Sequence, residues 1–293
     1  MLLRFGLLTR DESSWCSMQL LEAMRRFGVG SLILRFPEII ARVGFRPAGS
    51  LDGEDLLDLD ALIIRPIGRG SLEEIIFRMD LLYRLERLGL LIVNPPKSIE
   101  RAVDKYFALT LLEEAGLPVP RTVVTESSTR ALKAFNELGG DVVIKPIFGS
   151  RGIGSTRVSD YDVAERIFRA LSFHHEVIYI QEYIEHGFTD IRAFVLGDRV
   201  LASMRRVADG WKTNVSQGAR PEPLRLEEEL EELAVKASKA VGCVVAGVDI
   251  LEGRGGPWVI EVNSQPGWMG LQRVTDTNIA EEIIKYIISE IKR

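Results

Sequence analysis

"VVIKPIFGSRGIGS", residues 142–155, is the stretch on which the fold turns. Three β-branched residues lead into Lys145-Pro146, and Gly149, Gly152 and Gly154 follow, with Ser150 and Ser155 among them. The β-branched run reads as a buried strand. Glycines at this density let backbone N–H groups wrap an anion, and the lysine supplies a point charge. The order is not that of a P-loop, where the lysine follows the glycines, and the spacing does not fit a GxGxxG dinucleotide turn. A phosphate grip whose lysine comes from the preceding strand is one reading. A glycine-rich hairpin turn with an incidental lysine is the other.

Upstream, short apolar runs alternate with helical patterns. "LLRFGLLT", "SLILRF", "ALIIRP" and "LLIVNPP" read as strands. "SSWCSMQLLEAMRRFG" reads as a helix with a serine N-cap and closing Gly28, and "SLEEIIFRMDLLYRLERLG" as a second helix with a Ser–Glu capping box. Strands alternating with helices predict a doubly wound parallel sheet over residues 1–95, and its strand ends carry no glycine fingerprint for a dinucleotide. Pro95-Pro96 marks a boundary. "SIERAVDKYFALTLLEEAG" then predicts one amphipathic helix, followed by strands near 122, 142, 155–158 and 178 and helices over 128–138 and 160–171. From Asp190 two strands turn at Gly197-Asp198, and a polar loop leads to a helix over about 225–241. "CVVAGVDILEG" and "PWVIEVNSQPG" form a hairpin, and a helix over 277–292 closes the chain. The expected division is 1–95, 96–180 and 181–293, an α/β protein of mixed α+β character after its parallel-sheet domain.

Composition narrows the function. At 293 residues the chain exceeds one comfortable core, and its 46% hydrophobic and 27% charged residues are those of a folded globular protein. A net charge of −5 without a long basic run argues against nonspecific nucleic-acid binding, which rests on many phosphate contacts. The two cysteines, Cys16 and Cys243, read as buried small hydrophobes, and the three histidines lack zinc-ligand spacing. "MLLRFGLLTRD" is too quickly charged for a signal peptide, and no apolar run reaches membrane-spanning length. A cytoplasmic protein is expected.

The hairpin carries the second chemical signal. Asp249 interrupts an apolar strand, and Glu261 and Asn263 alternate on the opposing one, so all three face the same way. Two carboxylates brought together on a half-buried sheet repel unless a cation neutralises them, and carboxylates with an amide oxygen suit Mg²⁺ or Mn²⁺. Solvent-facing residues satisfied by water are the alternative. Gln181, Glu182 and Glu185 stand where "EVIYIQEYI" ends, able to offer an exposed edge and a carboxylate to a base and ribose. Asp190 and Arg192 share a strand face, as Met204 and Arg206 do further on.

In their order, Lys105, the IKP–glycine loop, "IQEYI", "DIRAFVLGDRVLASMRRV", "TNVSQGA" and "GVDILEG…WVIEVNSQPG" resemble the ATP-grasp ligases, and within them the RimK-like branch, over about residues 60–293. The resemblance implies a nucleotide held between two α+β subdomains under a flexible glycine flap, which places the lysine before the glycines. It implies that Lys105 and Lys145 contact ATP phosphates and that Gly149, Ser150, Gly152 and Gly154 form the flap. Gln181, Glu182, Tyr183 and Asp190 would lie at the base and nucleotide, and Lys212, Thr213 and Asn214 in the loop lining the site. Asp249, Glu261 and Asn263 would ligate Mg²⁺, while Arg192, Arg206 and Asn214 would stand near the γ-phosphate and an acyl phosphate.

The implied reaction is ATP-dependent carboxylate–amine ligation, and it needs no side-chain nucleophile. "NSQPGWMGLQ" is most similar to archaeal members that add glutamate to a cofactor of the tetrahydromethanopterin or F420 type. It departs from the ribosomal-protein ligases, and Gly218-Ala219 stands where the lysine-biosynthesis ligases have Gly-Gly. Trp268 is expected either to stack on a flat acceptor or to pack, and Arg65 and Arg69 either to face the cleft and bind acceptor carboxylates or to be ordinary surface arginines. L-glutamate and a small acceptor are the expected partners, with a homo-oligomer by analogy. A protein carboxylate as acceptor, and a non-catalytic ATP-binding protein, remain the alternatives.

Overall fold

Short apolar strands, each followed by a helix that returns the chain, can pair only in parallel. The computed structural model describes residues 2–149 and 152–292. It opens with β1 (Arg4–Leu8), α1 (Trp15–Arg26), β2 (Gly30–Leu34), β3 (Ile40–Ala41), β4 (Gly49–Leu51), β5 (Glu54–Asp55), β6 (Ala61–Ile64), α2 (Leu72–Arg87) and β7 (Leu91–Val93). β2-β1-β6-β7 is a parallel sheet in that order. β3-β4-β5 form a small antiparallel sheet of two- and three-residue strands, too short to show a period in the sequence.

The Ser71–Glu74 capping box forms, with both reciprocal hydrogen bonds in place. The serine cap expected for α1 does not: Ser14 occupies the N-cap position, but its hydroxyl donates to Ser17 Oγ at 2.8 Å instead of capping the backbone.

The single helix expected after Pro95-Pro96 is two, α3 (Pro96–Val103) and α4 (Lys105–Glu114). Asp104 breaks it: its backbone is extended, and its carboxylate accepts from the N–H groups of Tyr106 at 2.9 Å and Phe107 at 3.1 Å. An Asp side chain offers the backbone this alternative to continuing the helix. Lys105 thereby becomes the first residue of α4.

The next unit holds β8 (Thr122–Thr125), α5 (Ser128–Glu137), β9 (Val142–Lys145), β10 (Thr156–Val158), α6 (Tyr161–Phe173) and β11 (Ile178–Glu182). Its antiparallel sheet runs β10-β9-β11-β8, and Phe135 and Phe168 from the two helices bury Val142, Ile144, Ile178 and Ile180.

β12 (Thr189–Leu196), β13 (Arg199–Val207), β14 (Arg220–Pro223), α7 (Glu228–Val241), β15 (Val245–Gly253), β16 (Gly256–Asn263), α8 (Met269–Gln272) and α9 (Ile279–Ile291) complete the fold. Five antiparallel strands run β14-β13-β12-β15-β16. The polar loop expected after β13 contains β14, whose sequence RPEP hides it; prolines suit only an edge strand, and β14 is one.

One face of this sheet packs on α7, and the other joins the first unit. Phe5, Leu7 and Met24 share a core with Phe194, Leu196, Trp268 and Ile284. Asn94, just past β7, stitches the two: its Oδ1 accepts from the Val244 and Val245 N–H groups at 2.8 Å each, and its Nδ2 donates to Val245 O at 2.7 Å and to Ser264 O. Among the described residues, no helix is long and apolar enough to cross a membrane.

Candidate active site

A cleft of about 920 Å³, open to solvent, lies between the β10-β9-β11-β8 sheet and the five-stranded sheet. Strand register places the charges along it. Asp190 on β12 pairs with Arg206 on β13, Arg192 on β12 with Asp249 on β15, and Asp249 with Glu261 on β16. Because alternate residues share a face, these pairs form one staggered charged row, with Arg206–Asp190 two residues along β12 from Arg192–Asp249–Glu261.

The inner part of that row is buried and fully paired. Arg206, 4% exposed, donates Nε to Asp190 Oδ1 at 2.6 Å and places Nη2 on Asp190 Oδ2 and, at 3.0 Å, on Asp249 Oδ1. Thr213 Oγ1 donates to Asp190 Oδ2 at 2.7 Å. Arg192 donates Nη2 to Asp249 Oδ2 at 2.8 Å and Nε to Oδ1. Burial works against the Arg206 charge, but the Asp249 and Asp190 carboxylates outweigh it and hold its pKa above the ordinary arginine value. Glu261 differs from them: it lines the cleft half-buried and accepts no hydrogen bond among the described residues.

Two lysines face it. Lys145, the last residue of β9, donates to Gln181 Oε1 at 2.6 Å, and Gln181 is fixed in turn by Thr122 Oγ1 at 2.9 Å. Burial pushes the Lys145 ammonium down to about 8, with Glu261 opposing the shift and Lys105 adding to it. Lys105 donates to Gly149 O at 2.8 Å; burial lowers its pKa as well, against Glu261 and Asp104. Gly152 has φ +69°, and a Cβ there would clash with Asn214 Oδ1. The glycine turn therefore approaches the opposite wall of the cleft closely. Gly154 also has positive φ, and Ser150 lies outside the described residues.

Other expected residues have different surroundings. The Glu182 carboxylate holds Arg121, accepting from its N and Nε at 2.7 Å each. Tyr183 lines the cleft with the Arg157 guanidinium 3.5 Å above its ring, and Lys212 Nζ lies 5.2 Å from the Trp211 ring. Asn263 donates to Gly247 O at 3.4 Å, two residues beyond Glu261 on the same strand.

Trp268 does not stack on an open face. It is 1% exposed and set edge-on to Trp15 and Phe194 in the core shared by the first unit and the C-terminal sheet. Arg65 and Arg69 do not line this cleft either: Arg65 is buried against Trp268, and Arg69 is exposed. The sequence reading missed His186, Trp211 and Arg121. An aromatic residue inside the polar stretch 208–219 was the available signal for Trp211; His186, buried with Nδ1 3.0 Å from Thr189 O, gave none.

The donor set suits a hard cation. Glu261 has both oxygens available, Asp249 stands opposite it, and Asn263 follows two residues along the same strand. Carboxylate and amide oxygens are Mg²⁺ ligands. Asp249 is now shared by two arginines, so it would ligate a metal only by exchanging one of them. Among the described residues, no three His, Cys, Asp or Glu side chains cluster to hold a metal by themselves.

Two antiparallel sheets closing on a cleft, with a lysine from each flank, are the architecture of an ATP-grasp protein. Solved structures share this fold: the ATP-grasp ligase PsnB complexed with minimal precursor (TM-score 0.80, 21% identity, 99% of this chain and 100% of that one) and a RimK domain ATP-grasp protein from Sphaerobacter thermophilus (0.74, 21%, 97% and 99%). Residues 102–287 match the RimK-like ATP-grasp domain. The chain is 36% identical to the tetrahydromethanopterin:alpha-L-glutamate ligase of Methanococcus maripaludis, covering 96% of this chain and 97% of that one. It is 33% identical to a probable alpha-L-glutamate ligase of Photobacterium profundum, covering 97% and 95%. The protein belongs to the RimK-like family of ADP-forming ATP-grasp ligases.

Proposed function

We propose that the protein is an α-L-glutamate ligase acting on a carboxylate of a small cofactor of the tetrahydromethanopterin or F420 type. The observation that carries the ligase chemistry is the meeting of Lys105, Lys145, Glu261 and the Arg206–Asp249 pair in one cleft. An acceptor carboxylate oxygen attacks the γ-phosphorus of ATP, the bond to the β,γ-bridging oxygen breaks, and acyl phosphate and ADP result. The glutamate amine then attacks the acyl carbon, inorganic phosphate leaves, and the amine gives up a proton as the amide forms.

The chain contributes position and charge. Lys105 and Lys145 hold the phosphates, and Arg206 offsets charge on the transferred group. The glycine turn at Asn214 excludes water that would hydrolyse the acyl phosphate. Glu261, Asp249 and Asn263 would hold Mg²⁺ or Mn²⁺, which when bound neutralises phosphate charge. The choice of acceptor is supported by relatives at 36% and 35% identity that are named tetrahydromethanopterin:alpha-L-glutamate ligase.

The test is mass spectrometry of small products after incubation with MgATP, L-glutamate and, separately, a tetrahydropterin cofactor, a deazaflavin cofactor and a glutamate-ended peptide. A gain of one glutamate on a cofactor, abolished in Glu261→Ala, is expected. A gain confined to the peptide would replace the small acceptor by a protein carboxylate. ADP release without any amide would overturn the ligation.

A further inference from the structure

At the C-terminal ends of β6 and β7, outside the cleft, the protein buries a cation without an anion. Arg65 is 9% exposed, yet it makes no ion pair among the described residues. Its Nη1 donates to Pro266 O at 3.1 Å, and its guanidinium carbon lies 4.9 Å from the centroid of the Trp268 ring. Burial draws its pKa below the ordinary arginine value, and the one neighbour acting the other way is the Cys16 thiol. An unpaired buried charge is costly to keep, so a guanidinium held this way is matched by something that arrives.

The indole Nε1 of Trp268 is buried with no hydrogen-bond partner, as is the Gln265 amide nitrogen from the same turn. Arg65 and Trp268 line a small recess with Asn94, Ser264 and Pro266. The Asn94 oxygen there already accepts from two backbone N–H groups. The Asn94 amide N–H groups are spent on Val245 O and Ser264 O and the rest of the wall, Ser264 aside, is apolar, so Arg65 and the Trp268 N–H are donors that meet no carboxylate among the described residues.

Its place in the fold is a second, independent pointer. In the sheet order β2-β1-β6-β7 the connections diverge on either side of β1 and β6, and open parallel sheets bind ligands outside the carboxyl ends of strands at such a point. Arg65 directly follows β6, and Arg10, two residues beyond β1, packs on Gly68 in the same loop. The recess is also bounded by Ser264 and Pro266, which directly continue the strand bearing Glu261 and Asn263. A molecule anchored at Arg65 would therefore extend towards the reacting end of the cleft.

We propose that Arg65, with the Trp268 indole N–H, is an anchoring subsite for a carboxylate of one of the two anionic substrates. It rests on the ligase reading for what those substrates are, while the anion site stands on the unpaired donors alone. Arg65 is a positioning residue: it holds a carboxylate that does not react, so the reacting group meets the γ-phosphate in register.

The test is isothermal titration of the intact protein with L-glutamate, with tetrahydromethanopterin and with ATP, for wild type, Arg65→Met, Arg65→Lys and Trp268→Phe. Arg65→Met is expected to weaken one of the two carboxylate ligands by 10- to 100-fold and leave ATP unchanged; which ligand weakens identifies the source of the carboxylate. Arg65→Lys should recover part of the loss. Trp268→Phe, which keeps the ring packing and removes the N–H, should weaken the same ligand several-fold, and it decides the matter if Arg65→Met does not fold. Unchanged affinity for both carboxylate ligands in the folded variants overturns the proposal, as does a wild type that binds neither. Arg65-dependent binding in a protein that forms no amide would sink the ligase reading and keep the anion site. Normal ligation by Arg65→Met would do the reverse.

Discussion

Lys145 is held in a balance that pH can tip. Burial brings its pKa from the ordinary lysine value to about 8, so the ammonium that would meet a phosphate is fully present only below that pH. The sign follows directly: raising the pH through 8 removes the proton from the free protein, and a phosphate ligand must then restore it in order to bind. The dissociation constant for ATP should be flat between pH 6.5 and 7.5 and rise towards about tenfold per pH unit above 8. In Lys145→Met it should be weaker throughout and lose that upward bend; a bend that persists in the variant would assign the titration elsewhere. Asp249 poses the opposite problem, a buried carboxylate between two guanidinium groups. Asp249→Ala leaves Arg192 without its partner and Arg206 with one fewer, at a cost of about 3 kcal/mol. Urea unfolding should show this as a lower midpoint at an unchanged slope, whether or not nucleotide binding survives.

Elements set where those residues stand. Asp104 ends α3 and caps α4, and this is what places Lys105 at a helix start, with its N–H 3.4 Å from Ile147 O and its ammonium on Gly149. Asp104→Ala should cost about 1 kcal/mol of stability through the lost cap. It should also raise KM for ATP several-fold with a smaller change in kcat, since it displaces a binding group; steady-state kinetics beside a melting curve separates the two effects. The glycine stretch, the alternating Asp249, Glu261 and Asn263, and the strand–helix alternation of the first unit were legible because each is written in a local period or in residue type. The helix break was not, because an apolar period of 3.6 runs through Asp104 undisturbed and only the competing side-chain bond reveals it. β14 was hidden by its prolines, which are tolerated because it is the edge strand of its sheet. Where Trp268 and Arg65 sit was not readable for a different reason: each is positioned by a partner far away in the sequence, and no local pattern reports contacts such as Arg65 with Pro266.

At the scale of the whole molecule, the first unit is an integral part of the C-terminal sheet's core. The apolar side chains of β1 and α1 share one core with β12, α8 and α9, and Asn94 closes the seam with bonds to Val244, Val245 and Ser264. A carboxylate anchored on the first unit and a phosphate held by the lysines would be kept in register by that seam, because a slip of about 1 Å is enough to degrade an attack geometry. Asn94→Ala leaves the buried N–H and carbonyl of Val245 and the part-buried Val244 N–H and Ser264 carbonyl without the partner they had, at about 1–3 kcal/mol for each buried group that finds no other. The shared core remains, so unfolding should stay one transition that coincides by tryptophan fluorescence and far-ultraviolet circular dichroism, moved down by about 3 kcal/mol. Two separated transitions in the variant would mean that Asn94, and not the apolar core, couples the units. If unfolding remains single, ligation should fall more than ATP affinity does, because the lysines lie outside the seam while both reacting groups must be aligned across it.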